Sequence, residues 1–371
     1  MRIVHITSAH PRDDIRILLK ECNSLARQGH DVTLLVADGL GGQANELVSV
    51  MDVGRPSGRY RRMLLAPRRL LKMARALKAD IYHLHDPELL TIALALKRSG
   101  SKIVFDAHED VPKQILAKHY LHPWVRRLIS HLFAAYERYV CARLDGIVAA
   151  TPTIRDKFKD CSRRVVDINN FPLPGELDSH DDTLRSGNEV CYIGGIATIR
   201  GIREIVRAVG LSRHGGVQLH LAGRFVEPDV ESELRILPAW SRVKAWGHQE
   251  RSGVKRVLSR SSVGLVTLHP MPNYLDSLPI KMFEYMAAGI PVIASDFPLW
   301  RSIVEGADCG ICVDPLEVGA IADAIDGLLA DPIRAARMGQ NGRRAVQDRF
   351  NWGIEEKKLL EFYAILAKAP A

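Results

Sequence analysis

Residues 276–296, DSLPIKMFEYMAAGIPVIASD, have the pattern of a polar loop, a short amphipathic helix and a buried strand. The helical pattern covers residues 280–288, and the apolar run after Gly289 has the composition of a strand in a parallel sheet. A helix that begins directly after a loop exposes free N–H groups and carries about half a positive charge at that end. The stretch therefore predicts an α/β unit whose helix start suits an anion such as a phosphate.

Charged side chains surround this predicted helix start. Lys281 adds a positive charge beside the free N–H groups, and Ser277 and Leu278 lie in the loop that leads into the helix. Glu284 follows about one turn later, where its carboxylate would accept hydrogen bonds from vicinal hydroxyls such as those of a ribose. Asp276 would meet the hydroxyls of a second sugar. The arrangement predicts a site for a nucleoside, a diphosphate and a sugar in one molecule.

The same alternation of strand and helix extends over most of the chain. Short apolar runs, each followed by a helical pattern, predict parallel sheets with helices on both faces. The pattern pauses over residues 171–188, which are rich in Pro, Gly, Asp and Ser, and then restarts. We therefore expect two doubly wound α/β domains, residues 1–170 and 189–352, joined by a linker at 171–188. The predicted strands are RIVHITS, DVTLLVAD, DIYHLHD, KIVFDAHED, GIVAAT, EVCYIGG, VQLHLAG, VKAWG, VGLVTLH, PVIAS and GICVD.

Length and composition are typical of a globular protein. The chain has 371 residues, of which 47% are apolar, and no run reaches the roughly 18 apolar residues of a membrane span. The start, MRIVHITSAH, lacks the apolar core of a secretory signal, which favours a cytoplasmic protein. The scattered cysteines are typical of reduced thiols. Cys309 and Cys312 form a C-x-x-C pair, but without a second pair or a nearby His no zinc site is expected.

The basic excess lies entirely in the first half of the chain. Residues 1–180 contain 28 Lys and Arg against 20 Asp and Glu, whereas residues 181–371 contain 23 of each kind. Residues 54–78 carry basic side chains and no acid, interleaved with leucines, and residues 118–133 combine aromatic and basic side chains. Such stretches suit an anionic membrane or nucleic acid. The alternative is a helix packed on the core with a solvated basic face.

The opening stretch resembles a motif of the family 4 retaining glycosyltransferases, which have the GT-B fold. That family has an acid, seven residues and a second acid before a G-x-P-V strand, and here Asp276 and Glu284 precede GIPV at 289–292. The family usually has Glu at the first acid, so Asp276 is one methylene shorter. The resemblance implies two Rossmann-like domains facing across a cleft, where such sheets bind ligands beyond their carboxyl ends. It also implies a C-terminal helix, residues 353–371, that crosses back to the first domain.

Further segments of the second domain resemble the family's donor site. Within YIGGIATIRG the family usually has an Arg and then a Lys before Gly, both contacting the diphosphate; here these positions hold Gly195 and Arg200. Arg200 still offers a bidentate pair of hydrogen bonds to phosphate oxygens. Gly195 removes one cation, which Lys281 or Arg224 would have to supply. The nucleotide pocket implied by the resemblance comprises Gly223, Arg224, Gly247 and Glu284.

The first domain resembles the family more loosely. His108, after the strand in KIVFDAHED, matches a family histidine near the transferring sugar, which would stabilise charge in the transition state. The alternative is a hydrogen-bonded loop residue. Asp14 is expected to cap the helix after the first strand. The residues expected on the acceptor side are Arg16, Asp86, Glu88 and Glu109.

No metal or other cofactor is expected. His83, His85 and Asp86 look like metal ligands, but alternate residues of one strand share a face, and no third distant ligand is evident. The resemblance likewise implies metal-independent transfer with retention. The donor would be a UDP- or GDP-sugar, and the acceptor a saccharide or lipid-linked saccharide at the inner face of a membrane.

Three other functions would use parts of this sequence. A nucleotide-sugar epimerase shares the fold but needs acid and base groups around the sugar, and a product formed without acceptor would identify it. A non-catalytic nucleic-acid-binding protein could use the basic helix, but no recognised module or aromatic platform accompanies it. A dinucleotide-dependent oxidoreductase is excluded because the first strand ends in TSAHPRDD rather than G-x-G-x-x-G. A glycosyltransferase of polysaccharide or glycolipid assembly is the favoured function.

Overall fold

The chain divides into two compact units. The computed structural model describes residues 1–44, 46–118, 121–177 and 187–368, without the side chains of residues 59–61. The first unit comprises Met1–Asn170 and the C-terminal stretch from Trp352, and the second comprises Phe171–Asn351. The middle of the expected linker, residues 178–186, lies outside the described residues, as do residues 119–120 of the aromatic and basic stretch.

The first unit is built on a sheet that is parallel except at one edge. Its strands are β1 (Arg2–Ile6), β2 (Asp31–Val36), β3 (Gln43–Ala44), β4 (Val48–Asp52), β5 (Ile81–Leu84), β6 (Lys102–Ala107), β7 (Gly146–Ala149) and β8 (Val165–Asp167). They lie in the order β3-β4-β2-β1-β5-β6-β7-β8, and only the short β3 runs antiparallel to its neighbour. Every strand predicted here is present, and the structure adds β3, β4 and β8. These additions lie at the two edges of the sheet, where strands are less completely buried and their apolar signal is weaker.

The helices of the first unit cover both faces of this sheet. They are α1, which is π-helical over Ile15–Cys22 and α-helical over Asn23–Arg27, α2 (Arg59–Leu77), α3 (Leu90–Lys97), α4 (Val111–Leu116), α5 (Pro123–Cys141) and α6 (Pro152–Lys159). The Asp14 side chain accepts hydrogen bonds from the N–H groups of Arg16 and Ile17. The predicted cap of α1 is therefore confirmed.

The second unit has a fully parallel sheet. Its strands are β9 (Glu189–Ile193), β10 (Gln218–Ala222), β11 (Val243–Gly247), β12 (Val263–Val266), β13 (Val292–Ser295) and β14 (Gly310–Val313). Its helices are α7 (Ile202–Leu211), α8 (Pro228–Arg235), α9 (Arg251–Arg260), α10 (Ile280–Ala287), α11 (Pro298–Val304), α12 (Val318–Ala330) and α13 (Pro332–Asp348). The strand order is β11-β10-β9-β12-β13-β14. Phe171 and Leu177, from the stretch expected to be a linker, pack in the core of this unit.

The last helix, α14 (Trp352–Lys368), belongs to the first unit. Its Phe362 lies so close to β7 that a Cβ on Gly146 would be 2.4 Å from the ring. Tyr363 of the same helix is buried. The structure thus confirms the C-terminal helix that the resemblance implied. The helices in the described part of the chain do not combine the length and hydropathy that a bilayer span requires.

Each sheet contains a point where the chain order reverses. In the first unit it lies between β1 and β5, and in the second between β9 and β12. Loops on either side of such a point run in opposite directions and leave a crevice beyond the carboxyl ends of the strands, where doubly wound proteins bind ligands. Both reversal points, called switch points below, carry unusual clusters of polar side chains.

Candidate functional site

A crevice opens at the switch point of the second unit. β9 and β12 pair over only two residues of each strand. Beyond that pairing, the Tyr285 hydroxyl of α10 accepts a hydrogen bond from the Ile193 N–H at 3.0 Å and donates to the Leu265 carbonyl at 3.2 Å. A Cβ on Gly264 would lie 2.4 Å from the Tyr285 ring, so glycine is needed for this fit. The contacts hold α10, the predicted anion-binding helix, directly at the crevice.

A glycine pair forms one wall of the crevice. Gly194 is exposed and has a φ of 104°, a value that L side chains rarely adopt. A Cβ on Gly223 would lie 1.9 Å from the Gly194 carbonyl oxygen, so residue 223 must be glycine for the loops after β9 and β10 to meet. The Ile196 N–H donates to the Arg224 carbonyl at 2.9 Å and joins these loops further on. Gly247 is exposed, and its carbonyl accepts from the Gly223 N–H at 2.8 Å.

Two cations flank the glycine pair. Arg200 donates through Nη1 to the Gly195 carbonyl at 3.1 Å. The Lys281 Nζ would lie 3.5 Å from a Cβ on Gly194, and it lies 3.5 Å from the centre of the Tyr192 ring. Lys281 therefore lies beside Gly194, and Arg200 lies beside Gly195, the position where the resemblance implied one cation fewer.

The Lys281 ammonium is unusually placed for a cation. Its Nζ is buried and, within the described part of the chain, has no hydrogen-bond partner. Burial, together with the nearby positive charge of Arg200, lowers the pKa of Lys281 well below its ordinary value. A buried cation without a partner is costly, and an anion beside Gly194 would relieve that cost. The site is thus chemically suited to a phosphate.

Glu284 lies in a short chain of ion pairs. Arg251 of α9 donates to its Oε1, and the same guanidinium donates to the Glu176 carboxylate at 2.6 Å. Glu284 is 7% exposed. Arg251 therefore orients the carboxylate that was expected to bind ribose hydroxyls, and the sequence offered no signal for this partner.

The loop before α10 holds the remaining predicted residues. Ser277 donates both its N–H and its hydroxyl to the Tyr274 carbonyl, and its own carbonyl accepts from the Trp300 indole at 2.7 Å. These bonds fix the loop but occupy the Ser277 donors that were expected to face a diphosphate. Leu278 packs partly against the core, and Asp276 is half-buried at the end of the preceding turn.

The switch point of the first unit carries a buried cluster of histidines. His5 of β1 lies directly beside His83 of β5 in the register of the sheet, and His85 follows on the same face. The His5 Nδ1 lies 2.8 Å from the His85 Nε2. Glu21 of α1 faces the same side chains, and its Oε2 is 3.9 Å from the Nδ1 atoms of His5 and His83. Burial raises the pKa of Glu21 well above its ordinary value, and the neighbouring Asp106 adds to the rise.

Two groups of these residues have ligand atoms within 4.8 Å of one another and could hold a metal ion. One comprises His5, Glu21, His83 and His85, and the other His85, Asp106 and His108. The sequence argument against a metal relied on the lack of a third distant ligand. That argument fails, because β1 and α1 bring His5 and Glu21 to the strand that carries His83.

Arg16 lies in the core rather than at an acceptor surface. Its side chain is 3% exposed, and it donates to both carboxylate oxygens of Asp106 at 2.9 and 2.8 Å. A third bond, at 2.7 Å, goes to the Ile168 carbonyl. Three of its five N–H groups thus donate within the protein, and the side chain expected on the acceptor side is buried beside Asp106. The physical reason is the carboxylate of Asp106, which would be buried without a counter-charge.

Asp86 also has a structural task. Its Oδ2 accepts hydrogen bonds from the Ser8 N–H at 2.6 Å and the Thr7 hydroxyl at 2.7 Å, and its Oδ1 lies 2.9 Å from the His10 Nδ1. Burial opposes ionisation, but these bonds hold the pKa of Asp86 well below its ordinary value. The side chain is 2% exposed, so it shapes the loop after β1 instead of facing an acceptor.

A rim of more accessible groups surrounds this cluster. His108 is 17% exposed, its Nε2 lies 2.8 Å from the Asp106 carboxylate, and its ring packs 4.7 Å from that of His10. Glu88 accepts a hydrogen bond from the Ser8 hydroxyl at 3.0 Å, and Glu109 is exposed. The contact with Asp106 orients His108. It also fits the alternative role of His108, that of a hydrogen-bonded loop residue.

The two parallel-sheet units define a protein with the GT-B fold. A sucrose-phosphate synthase from Thermosynechococcus elongatus superposes with a TM-score of 0.80 at 18% identity, covering 98% of both chains. An Anabaena protein solved in complex with UDP and glucose superposes with a TM-score of 0.74 at 15% identity, covering 98% of this chain and 99% of that one. At such identities the likeness shows the fold alone.

Sequence matches identify the family. Residues 16–171 match Glycosyltransferase Family 4, and residues 181–345 match Glycosyl transferases group 1. The chain belongs to this family of glycosyltransferases, as its motifs predicted. A phosphatidyl-myo-inositol mannosyltransferase of Mycobacterium leprae is 23% identical over 298 residues, which cover 78% of this chain and 74% of that protein.

Proposed function

We propose that the chain is a retaining glycosyltransferase that moves a sugar from a UDP- or GDP-sugar to a hydroxyl of a saccharide or lipid-linked saccharide. It would act in the cytoplasm, in polysaccharide or glycolipid assembly. The observation that carries the proposal is the buried Lys281 ammonium, which lies beside Gly194 and Arg200 at the start of α10. The Anabaena neighbour with UDP and the lipid named in the mannosyltransferase relative support the donor and acceptor classes.

The proposed chemistry rests on stabilising the leaving group. As the glycosidic bond breaks, negative charge grows on the diphosphate, where Arg200, Lys281 and the free N–H groups of α10 would hold it. These fixed charges would replace a metal ion at the diphosphate. The acceptor hydroxyl would attack from the face that the diphosphate leaves, and a phosphate oxygen would take its proton, so the product keeps the donor's anomeric configuration.

Residues around the sugars have separate proposed roles. Glu284, oriented by Arg251, would accept hydrogen bonds from the ribose hydroxyls, and Asp276 would bind the donor sugar. His108, oriented by Asp106 in the first unit, would bind a sugar hydroxyl.

Ligand-dependent thermal stability tests this function. The melting temperature would be measured with UDP, GDP, ADP, CMP and NAD, for the wild type and for Glu284→Gln. We expect one nucleoside diphosphate to raise the melting temperature of the wild type. A bound ligand stabilises by RT ln(1 + [L]/Kd), so the variant, whose Kd should be larger, needs far more ligand for the same rise. Glu305→Gln removes a charge from an exposed glutamate of the same unit and should respond as the wild type does. Stabilisation by none of the ligands, or by NAD alone, would contradict the proposal.

We also propose contact with an anionic membrane through the first unit. Along α5, the side chains of Trp124, Leu128, Leu132 and Tyr139 are 62, 51, 62 and 54% exposed, and their spacings of four, four and seven residues place them on one face. The basic helix α2 differs, because its Ala66, Leu70 and Ala74 are buried in the core while Arg68, Arg69 and Lys72 are exposed. The apolar face of α5 and the basic face of α2 would thus supply the two attractions of an interfacial protein.

Co-sedimentation with liposomes tests the membrane contact. The variant Trp124→Ser/Leu128→Ser/Leu132→Ser should lose most of its binding to vesicles containing anionic lipid. The control Ile236→Ser/Ile333→Ser changes side chains that are 81 and 76% exposed in the second unit, and it should sediment like the wild type. Equal sedimentation of all three proteins would exclude α5 as the contact surface.

A further inference from the structure

The first unit contains a closed nest of metal-binding atoms below its rim. His5, Glu21, His83 and His85 are each 0 or 1% exposed and come from β1, α1 and β5. Each of the four residues offers one ligand atom, and these four atoms all lie within 4.8 Å of one another. Three imidazoles and a carboxylate are a donor set that Zn²⁺ and similar transition ions accept.

The atoms facing this nest are left unsatisfied by the protein itself. Neither Glu21 oxygen nor the His83 Nε2 has a hydrogen-bond partner among the described residues, although all three atoms are buried. The nearest cation to Glu21 is Arg16, but the Arg16 Nε, 3.1 Å from Oε1, donates its hydrogen to Asp106. Buried polar groups are almost always paired in folded proteins, and a cation among these side chains would pair the Glu21 carboxyl, which otherwise lies beside the carboxylate of Asp106.

The outer contact of His85 matches that of a metal ligand. The His85 Nδ1 lies 3.2 Å from the Asp106 carboxylate, which leaves its Nε2 directed at His5. The His83 Nδ1 lies 2.8 Å from the Tyr363 hydroxyl and 3.9 Å from the Glu21 Oε2, so it is the His83 nitrogen that faces Glu21. A histidine that binds a metal through one ring nitrogen typically uses the other to contact a carboxylate or another oxygen.

We propose that His5, Glu21, His83 and His85 bind one divalent transition ion of the zinc class. Tetrahedral bonds of about 2.0–2.1 Å place ligand atoms roughly 3.3 Å apart. The measured separations of 2.8 Å between His5 and His85, and 3.9 Å from Glu21 to His5, lie on either side of that value. Four protein ligands close the coordination sphere, so the ion holds β1, β5 and α1 together and takes no part in the sugar transfer.

The metal content of untagged protein tests the proposal. Protein expressed in zinc-supplemented medium, purified without a histidine tag or chelator, should contain about one zinc per chain by inductively coupled plasma mass spectrometry. Glu21→Gln should lower that content to less than about a tenth, because it removes the anionic ligand. Glu137→Gln is the matched control, since Glu137 is a buried glutamate of the same unit that pairs with Lys157 outside the cluster, and it should keep the zinc.

Wild-type protein provides a readout that does not depend on how the variants fold. Chelator-stripped protein should bind one Co²⁺ with the visible absorption of a tetrahedral site, and added Zn²⁺ should displace it and raise the melting temperature. A wild type that contains no metal and binds neither ion stoichiometrically overturns the proposal. Zinc that is retained by Glu21→Gln but lost from His108→Ala also overturns it, because the ion would then lie on His85, Asp106 and His108.

Discussion

The two switch points share a topology and differ in chemistry. In the second unit, the crevice between β9 and β12 presents glycines and the cations Arg200 and Lys281. In the first unit, the corresponding position between β1 and β5 is filled with imidazoles and buried carboxylates. A glycine-lined, cationic crevice suits an anion, whereas a nest of histidine and carboxylate suits a cation.

In this fold the strand order locates a site, and the side chains at that place select its ligand. In both units the chain reverses its order once, so the polar groups accumulate at the same topological place. Bulky histidines pack the first crevice closed, while glycines leave the second one accessible. The following predictions test this division between the units, from the largest expected effect to the smallest.

The first prediction concerns the buried charge pair beneath the histidines. Asp106→Asn should lower the free energy of unfolding of the first unit by about 3–5 kcal/mol, because the buried Arg16 guanidinium would lose the carboxylate that accepts two of its hydrogen bonds. Urea denaturation followed by circular dichroism measures this. Asp156→Asn breaks an exposed pair with Lys159, which water and salt screen, so it should have a much smaller effect. Equal effects of the two variants would mean that Arg16 does not depend on Asp106.

The second prediction concerns the cation of the other crevice. Lys281→Met should weaken binding of the stabilising nucleoside diphosphate about 30- to 1000-fold, because a desolvated charge pair with phosphate is lost. Isothermal titration calorimetry measures the affinity. Lys244→Met, at an exposed position near the amino end of β11, should leave it unchanged. Unaltered affinity in Lys281→Met would remove the diphosphate from this crevice.

The third prediction concerns the glycine contact. Gly223→Ala should destabilise the second unit by about 1–3 kcal/mol, because its methyl group would meet the Gly194 carbonyl. The same variant should bind nucleoside diphosphate more weakly, since the loop after β9 must shift. Gly215→Ala, which has open space around its Cβ, should have little effect on either property. Thermal unfolding with and without ligand distinguishes these outcomes.

The fourth prediction concerns protons taken up with the donor. The pKa of Lys281 is lowered in the free protein by burial and by the charge of Arg200, and a bound diphosphate should raise it, so binding at alkaline pH should be accompanied by proton uptake. Calorimetry in buffers of different ionisation enthalpy measures the uptake. Lys281→Arg keeps the charge at all accessible pH values and should bind without it. Uptake that persists in Lys281→Arg would assign the proton to another group.

Local patterns in the sequence were sufficient to predict most of the fold. The stretch 276–296 predicted a helix over residues 280–288, and α10 runs over Ile280–Ala287. The restart of the strand and helix pattern predicted two doubly wound sheets, which the structure confirms. The strands β4 and β8, which lie next to or at an edge of the first sheet, were not predicted, because incomplete burial leaves a weaker apolar pattern.

The candidate sites were predictable where the signal is local. Arg200, Lys281, Gly223 and Glu284 follow strands or begin a helix, and each lies at the crevice of the second unit or bonds to its neighbours there. The sequence did not reveal that Arg16 and Asp86 are buried, because polar residues near strand ends look alike in sequence whether they face solvent or a buried partner. Their partners, Asp106 and the loop after β1, are 78 to 90 residues away.

The sequence by itself determined the alternation of elements, the helix start with its acids and lysine, and the family. These properties depend on spacings of a few residues, and the periodicity of apolar residues indicates them directly in the sequence. Only the tertiary structure decided that His5 lies beside His83, that Glu21 faces both, and that Arg251 holds Glu284. Those contacts depend on sheet register and helix packing, which join residues far apart in the chain and leave no local trace.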